Sequence, residues 1–91
     1  MSKTITLYTK DNCRMCWASK RKLDSLGATY AMRAVDLPTV ESMQDLEALR
    51  AEGYQEMPVV IVQHGDGSQS SWSGYRPNLI EEYCRPEEKA A

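Results

Sequence analysis

The chain contains no phenylalanine, one histidine and only three cysteines among its 91 residues. Aromatic packing therefore falls to Trp17, Trp72 and five tyrosines, and no function is read from that substitution. Three cysteines argue against a secreted disulfide framework, because an odd count leaves one thiol over. No apolar segment reaches signal-peptide or membrane-span length: Met1-Ser2-Lys3-Thr4 runs straight into a strand-like stretch. A reducing, cytoplasmic setting is therefore expected. No basic stripe interrupts the net charge of −2, and Lys20-Arg21-Lys22 reads as a solvated helix face. Neither a nucleic-acid nor a membrane partner is expected. Internal repeats and low-complexity tracts are absent as well. The composition, 42% hydrophobic and 26% charged, is that of an ordinary globular protein rather than a disordered one. A chain this short makes one compact domain with a modest core. We expect residues 1–91 to form that single domain, as a monomer, with a core over about 3–84 and a loose charged tail at 86–91. Function should then sit at one small site plus a docking surface.

What is present has a clear order. Lys3 to Thr9 is rich in β-branched residues and is closed by Lys10-Asp11-Asn12, which predicts a strand and a turn. A helix is expected from about Arg14 to Leu26, stopped by Gly27. Ala28 to Asp36 reads as a second strand, with Tyr30, Met32 and Ala34 alternating. After Pro38, Val40, Met43, Leu46 and Leu49 recur every third residue and predict a helix with one apolar face, with Thr39 as N-cap and Gly53 as stop. Met57 to Val62 is a continuous apolar run of the kind found in a buried central strand. His64 to Ser68 turns the chain, Gln69 to Ser73 returns as an edge strand, and Pro77 opens a last helix with Leu79, Ile80, Tyr83 and Cys84 inward. The order βαβαββα predicts an α/β fold, with a four-stranded mixed sheet and three helices. Its first two strands should be parallel and its last two antiparallel. This is the element order of the thioredoxin fold in its minimal form.

Cys13-Arg14-Met15-Cys16 lies between the first strand and the first helix. At a helix start the backbone N–H groups lack intrahelical partners and the dipole favours negative charge, so a thiolate is stabilised below its free pKa of ~8.5. Cys13, at the start, is the expected nucleophile. Cys16, one turn along and better shielded, is the expected resolving thiol. Half of a zinc site is the alternative, but the further ligands on offer are only Cys84 and His64, with no second paired motif. Two inert buried cysteines are another, against which stand the polar neighbours Lys10, Asp11 and Asn12. Cys84, on the apolar side of the last helix, reads as a small packing residue, with a regulatory thiol or an intermolecular disulfide as the other possibility.

Two further segments belong near the pair. Met57-Pro58 precedes the central strand, where a cis bond would face the cysteines and a trans proline would merely start the strand. Trp72-Ser73-Gly74-Tyr75-Arg76-Pro77 joins the last strand to the last helix, and its two aromatics either line a docking surface or pack the turn.

The C-x-x-C after Leu7-Tyr8-Thr9-Lys10, Met57-Pro58-Val59-Val60, and the Trp72 to Pro77 run together resemble the NrdH-type redoxins, glutaredoxin-like proteins of the thioredoxin fold. The resemblance spans Ile5 to about Tyr83, and the Trp-Ser-Gly-aromatic-Arg-Pro run is its most specific part. It implies a protein disulfide oxidoreductase that carries electrons from thioredoxin reductase to class Ib ribonucleotide reductase. Cys13 and Cys16 would be the redox pair, Pro58 the cis proline, and no cofactor beyond the Cys13–Cys16 disulfide would be needed. Lys10, Arg14, Met15, Met57, Pro58, Trp72, Ser73, Gly74, Tyr75 and Arg76 are the partner-binding candidates. Met15 departs from the family, which commonly has a glutamine-type residue before the second cysteine, and the His64 to Gln69 loop is long and glycine-rich. A glutathione-dependent glutaredoxin is the alternative, yet Tyr75-Arg76 stands where such a protein would place an aspartate for the glutathione amine. A non-catalytic binding module on the same fold is a further alternative, and the intact C-x-x-C argues against it.

Overall fold

Alternation along β1 (Thr4–Thr9) sends Ile5, Leu7 and Thr9 to one face of a sheet and Thr4, Thr6 and Tyr8 to the other. The computed structural model describes residues 3–86, so 87–91 of the expected tail lie outside the described residues. After β1 come α1 (Arg14–Ser25), β2 (Ala31–Ala34), α2 (Val40–Ala51), β3 (Val59–Gln63), β4 (Gln69–Ser73) and α3 (Pro77–Cys84). The sheet has four strands in the order β2-β1-β3-β4. β1 pairs parallel with β2, while the β1–β3 and β3–β4 pairs are antiparallel. The expected mixed sheet with three helices is what forms.

The sheet buries a cluster on each face. On one side Ile5, Leu7, Val60, Val62 and Trp72 pack against Leu23 of α1 and Ile80 and Cys84 of α3. Full burial of each such aliphatic side chain stabilises by about 1.5–3 kcal/mol. Lys22 of α1 and Glu81 of α3 form an ion pair that joins the two helices at their outer edge. On the other side, Val59, Val35, Met57 and Cys16 pack against Leu49 of α2.

Both expected glycine stops close their helices. Gly27 N–H donates to Asp24 O and Ala28 N–H to Leu23 O, and Gly53 and Tyr54 repeat the pattern with Arg50 O and Leu49 O. These paired bonds satisfy carbonyls that the last helical turn leaves open. Thr39 caps α2 as expected, its hydroxyl accepting from Ser42 N–H at 3.1 Å.

Two expectations change. The second strand is only Ala31–Ala34, and Met32 is 49% exposed. β2 is an edge strand, so its alternation has little to pack against. The apolar face expected on α2 also divides: Leu49 is buried, but Val40 and Met43 are 65% and 62% exposed. A spacing of three falls short of a full turn by about 60° at 3.6 residues per turn. Val40 and Leu49, three such steps apart, therefore point to opposite sides of the helix. The buried Ser42, not anticipated, ties the start of α2 down instead: its hydroxyl donates to Ala34 O at 2.7 Å and accepts from Leu37 N–H at 3.0 Å.

This division is testable by equilibrium urea unfolding. Leu49→Ala should cost about 2–5 kcal/mol through the cavity it leaves. Met43→Ala should stay within about 0.5 kcal/mol of wild type. Equal losses would show that the whole stripe is buried.

Candidate active site

The chain leaves β1 at Thr9 and must reverse to start α1. Asp11 N–H donates to Asp36 Oδ2 at 2.7 Å, which pins the turn to the end of β2. Asn12 takes φ 54°, a left-handed conformation that asparagine tolerates better than most residues. Cys13 is then delivered as the N-cap of α1, with extended backbone. Its Sγ accepts from Cys16 N–H at 3.1 Å, and its carbonyl accepts from Trp17 N–H at 3.1 Å. A sulfur thus occupies the position where a serine or aspartate oxygen usually caps a helix. When the pair is reduced, the same N–H and the helix dipole stabilise negative charge on Cys13.

Cys13 and Cys16 form a disulfide, with Cα atoms 5.2 Å apart. Cys13 is half-buried, whereas Cys16 is only 5% exposed. Cys13 is therefore the more accessible of the two to an incoming nucleophile. The Met57-Pro58 peptide bond is cis. Met57 O stands 3.7 Å from Cys13 Sγ, and the Met57 side chain packs with Cys16. The disulfide sulfur carries no hydrogen, so this is a contact that places backbone polar groups beside the reacting atom.

The segment from Trp72 to Arg76 meets the site in part. Gly74 N–H donates to Pro58 O at 2.8 Å, joining this loop to the proline loop. Gly74 has φ +81°, which side-chain-bearing residues rarely adopt. Ser73 pairs with Val59 in the sheet. Tyr75 is 36% exposed, and Arg76, exposed, accepts from Leu79 and Ile80 N–H at the start of α3. Trp72 is placed differently from a docking residue. Its side chain is 5% exposed in the α1/α3 core, tilted against Tyr83 with ring centroids 6.1 Å apart. It supports the loop from below and does not reach the surface at the disulfide.

Two clefts open on either side of Cys13. One, of about 460 Å³, runs past Met15, Gln55 and Glu56 to Met57. The other, of about 680 Å³, runs along α1 past Trp17 and Lys20 to Met32. Lys10 and Arg14 line both. Trp17, 61% exposed with the Arg21 guanidinium 4.8 Å from its ring centroid, was not anticipated at the site. Its position one residue past Cys16, and so off the buried face of the helix, was the available signal.

Comparison with known proteins agrees with this geometry. The glutaredoxin family model matches residues 5–66. The glutaredoxin-like protein NrdH of Salmonella typhimurium is 44% identical over 77 residues, covering 85% of this chain and 84% of its own. The chain belongs to the glutaredoxin family, in its NrdH-type branch. The Escherichia coli NrdH is 42% identical over 76 residues. The structure of an E. coli NrdH-redoxin, described as a glutaredoxin-like protein with a thioredoxin-like activity profile, superposes with a TM-score of 0.75 at 38% identity. It covers 92% of this chain and 99% of its own. A glutaredoxin from Archaeoglobus fulgidus, 21% identical with a TM-score of 0.69 over 87% of this chain, shares the fold.

In this NrdH-type redoxin the third cysteine lies apart from the pair. Cys84 is fully buried beneath α1 and the sheet, and burial pushes its thiol from 9.0 up to about 11. His64 is on the far turn, bonded to Ser70 at 2.9 Å. Among the described residues no three histidine, cysteine or acidic side chains stand close enough to hold a metal ion. No helix there is long and apolar enough to cross a membrane.

The raised Cys84 value carries a sign. Because the folded state keeps its proton longer, the associated stability is complete below about pH 9.0 and is lost as pH rises through about 11. In the reduced native protein at pH 8, iodoacetamide should modify Cys13 and leave Cys84 untouched, with Cys84 reacting only in denaturant. Peptide mass mapping reads this, and native labelling of Cys84 would contradict its burial. Gly74→Ala should cost about 1–2 kcal/mol from its left-handed backbone alone, measured by urea unfolding.

Proposed function

We propose that this redoxin carries electrons from a thioredoxin reductase to a class Ib ribonucleotide reductase, within a reducing cytoplasm. The single observation that supports the chemistry is the disulfide at the start of α1, with Cys13 reachable and Cys16 shielded beneath it. In the reduced protein the Cys13 thiolate attacks one sulfur of the target disulfide. A Cys13–target bond forms, and the other target sulfur leaves and takes up a proton. The Cys16 thiol then gives up its proton and attacks Cys13 Sγ, expelling the second target sulfur. Two electrons pass to the target, and the Cys13–Cys16 disulfide returns. The reductase supplies two electrons to begin again, and no cofactor besides this disulfide takes part. The thioredoxin-like activity profile of the E. coli relative favours thioredoxin reductase as the source. Tyr75 and Arg76, in place of a glutathione-binding aspartate, argue in the same direction.

NADPH oxidation measured with thioredoxin reductase, and separately with glutathione and glutathione reductase, tests the choice of donor. Fast turnover is expected in the first system, and fast turnover confined to the second would sink the proposal. Cys13→Ser should reduce turnover to background. Cys16→Ser should accumulate a mixed disulfide with the target, visible on non-reducing gels. A Cys16→Ser protein that turns over normally would rule out the dithiol mechanism.

A further inference from the structure

The larger cleft beside the disulfide carries a charge opposite to that of the whole protein. The chain has a net charge of −2, yet the cleft is lined by Lys10, Arg14 and Lys20 with no carboxylate among its lining residues. Arg21 adds a further cation, held over Trp17, whose ring forms part of the wall. Lys20 is shared with Asp24 at 2.8 Å. Among the described residues Lys10, Arg14 and Arg21 have no carboxylate ion-pair partner. Lys20-Arg21-Lys22 is thus more than a solvated helix face. Lys22 is spent on Glu81, while Lys20 lines the cleft and Arg21 stacks on the Trp17 ring. Besides Thr9 and Asn12, the wall is apolar, with Trp17 61% and Met32 49% exposed. Met32 lies on β2, an edge strand, so the cleft is open along that side. An apolar trough edged by Lys10 and Arg14, which have no ion-pair partner among the described residues, and by Lys20, shared with Asp24, fits an extended chain that carries carboxylates.

We infer that this α1/β2 cleft receives an acidic segment of the protein whose disulfide Cys13 attacks. The inference rests on the exchange reading above. The spacing sets where the acids belong. Lys20 is seven positions along α1 from Cys13, about 10 Å at 1.5 Å per residue. An extended segment spans that in about three residues at 3.3 Å each. The carboxylates therefore lie within about three residues of the attacked cysteine, with an apolar side chain meeting Trp17 and Met32. The clustered cations steer such a segment onto the disulfide and favour it over neutral competitors.

Two short peptides with an internal disulfide test this, one with glutamates in the three positions beyond the attacked cysteine and the other with glutamines. The second-order rate of their reduction by the reduced full-length protein is measured at low and high salt. The glutamate peptide should react about five- to tenfold faster at low ionic strength, as expected for a few exposed charge pairs. The advantage should shrink to about twofold or less at 1 M salt, where the screening length is about 3 Å. Lys20→Gln with Arg21→Glu should bring the rate ratio close to one. These positions leave Lys10 and Arg14, next to the reacting sulfur, in place, and a thermal melt checks that the variant folds. Arg50→Glu, on α2, should keep the ratio. A glutamate peptide with both cysteines changed to serine should shift the emission of Trp17, and the shift should vanish in Trp17→Phe. Equal rates at low salt, a ratio that survives the double change, or an unmoved emission would each overturn the cleft assignment while the exchange reading stands. Failure to reduce either peptide would remove the exchange reading and this inference together. If added glutathione cancels the glutamate advantage without altering the glutamine peptide's rate, the occupant is a small anionic thiol and the protein segment is ruled out.

Discussion

The antiparallel pairing of β1 with β3 is the constraint on which the site depends. Its register sets Tyr8 opposite Val59. The end of one strand and the beginning of the other therefore lie side by side at one edge of the sheet. Cys13 follows β1 and Met57-Pro58 precedes β3, so this pairing brings residues 44 apart in sequence to 3.7 Å. Adding β4 beyond β3 brings Gly74 to the same edge, where its N–H meets Pro58 O. A slip of one residue in the register would turn Val59 and Val60 to opposite faces and dismantle both cores at once. The hydrophobic alternation that builds the core thus also aligns the chemistry.

Much of the chemistry at this edge belongs to the backbone. The Cys13 sulfur is held by a helix N–H and faces a carbonyl, and the loop that flanks it is fastened by one amide bond. Such groups are fixed by the fold rather than by side-chain rotamers, so they need no reordering when a target chain arrives. Side chains differentiate the two cysteines by exposure. The packing of Cys16 with Val35, Leu49, Met57 and Val59 keeps its sulfur covered. Charged side chains then distinguish the two clefts: Glu56 lines the one beside Met57, whereas Lys20 lines the one along α1.

How far the sequence could be read follows from how local each feature is. The helix stops at Gly27 and Gly53, the cap at Thr39, and the turn before Cys13 involve only neighbours in the chain, and each was legible. The apolar stripe on α2 does not form one buried face, because a spacing of three rotates by about half a turn over nine residues and leaves Val40 exposed. For Trp72 the sequence left two placements open, a docking surface and a packed turn. The alternation of β4 turns it inward, into the core with Ile80 and Cys84. Trp17 was not legible as part of the site because the cleft it lines is completed by Met32 of β2, which is distant in the chain.

The sequence by itself determined the element order, the helix ends and the cysteine pair at the start of α1. Those properties arise from chain spacing and from the unpaired N–H groups of a single helix terminus. Only the tertiary structure decided the strand order β2-β1-β3-β4, the approach of Met57 and Gly74 to the disulfide, and the burial of Trp72. It also decided that cations from the β1–α1 turn and from the first two turns of α1 share a wall with Met32 of an edge strand. These are relations between surfaces far apart in the chain. They exist only once the apolar faces have chosen one another and excluded water from between them.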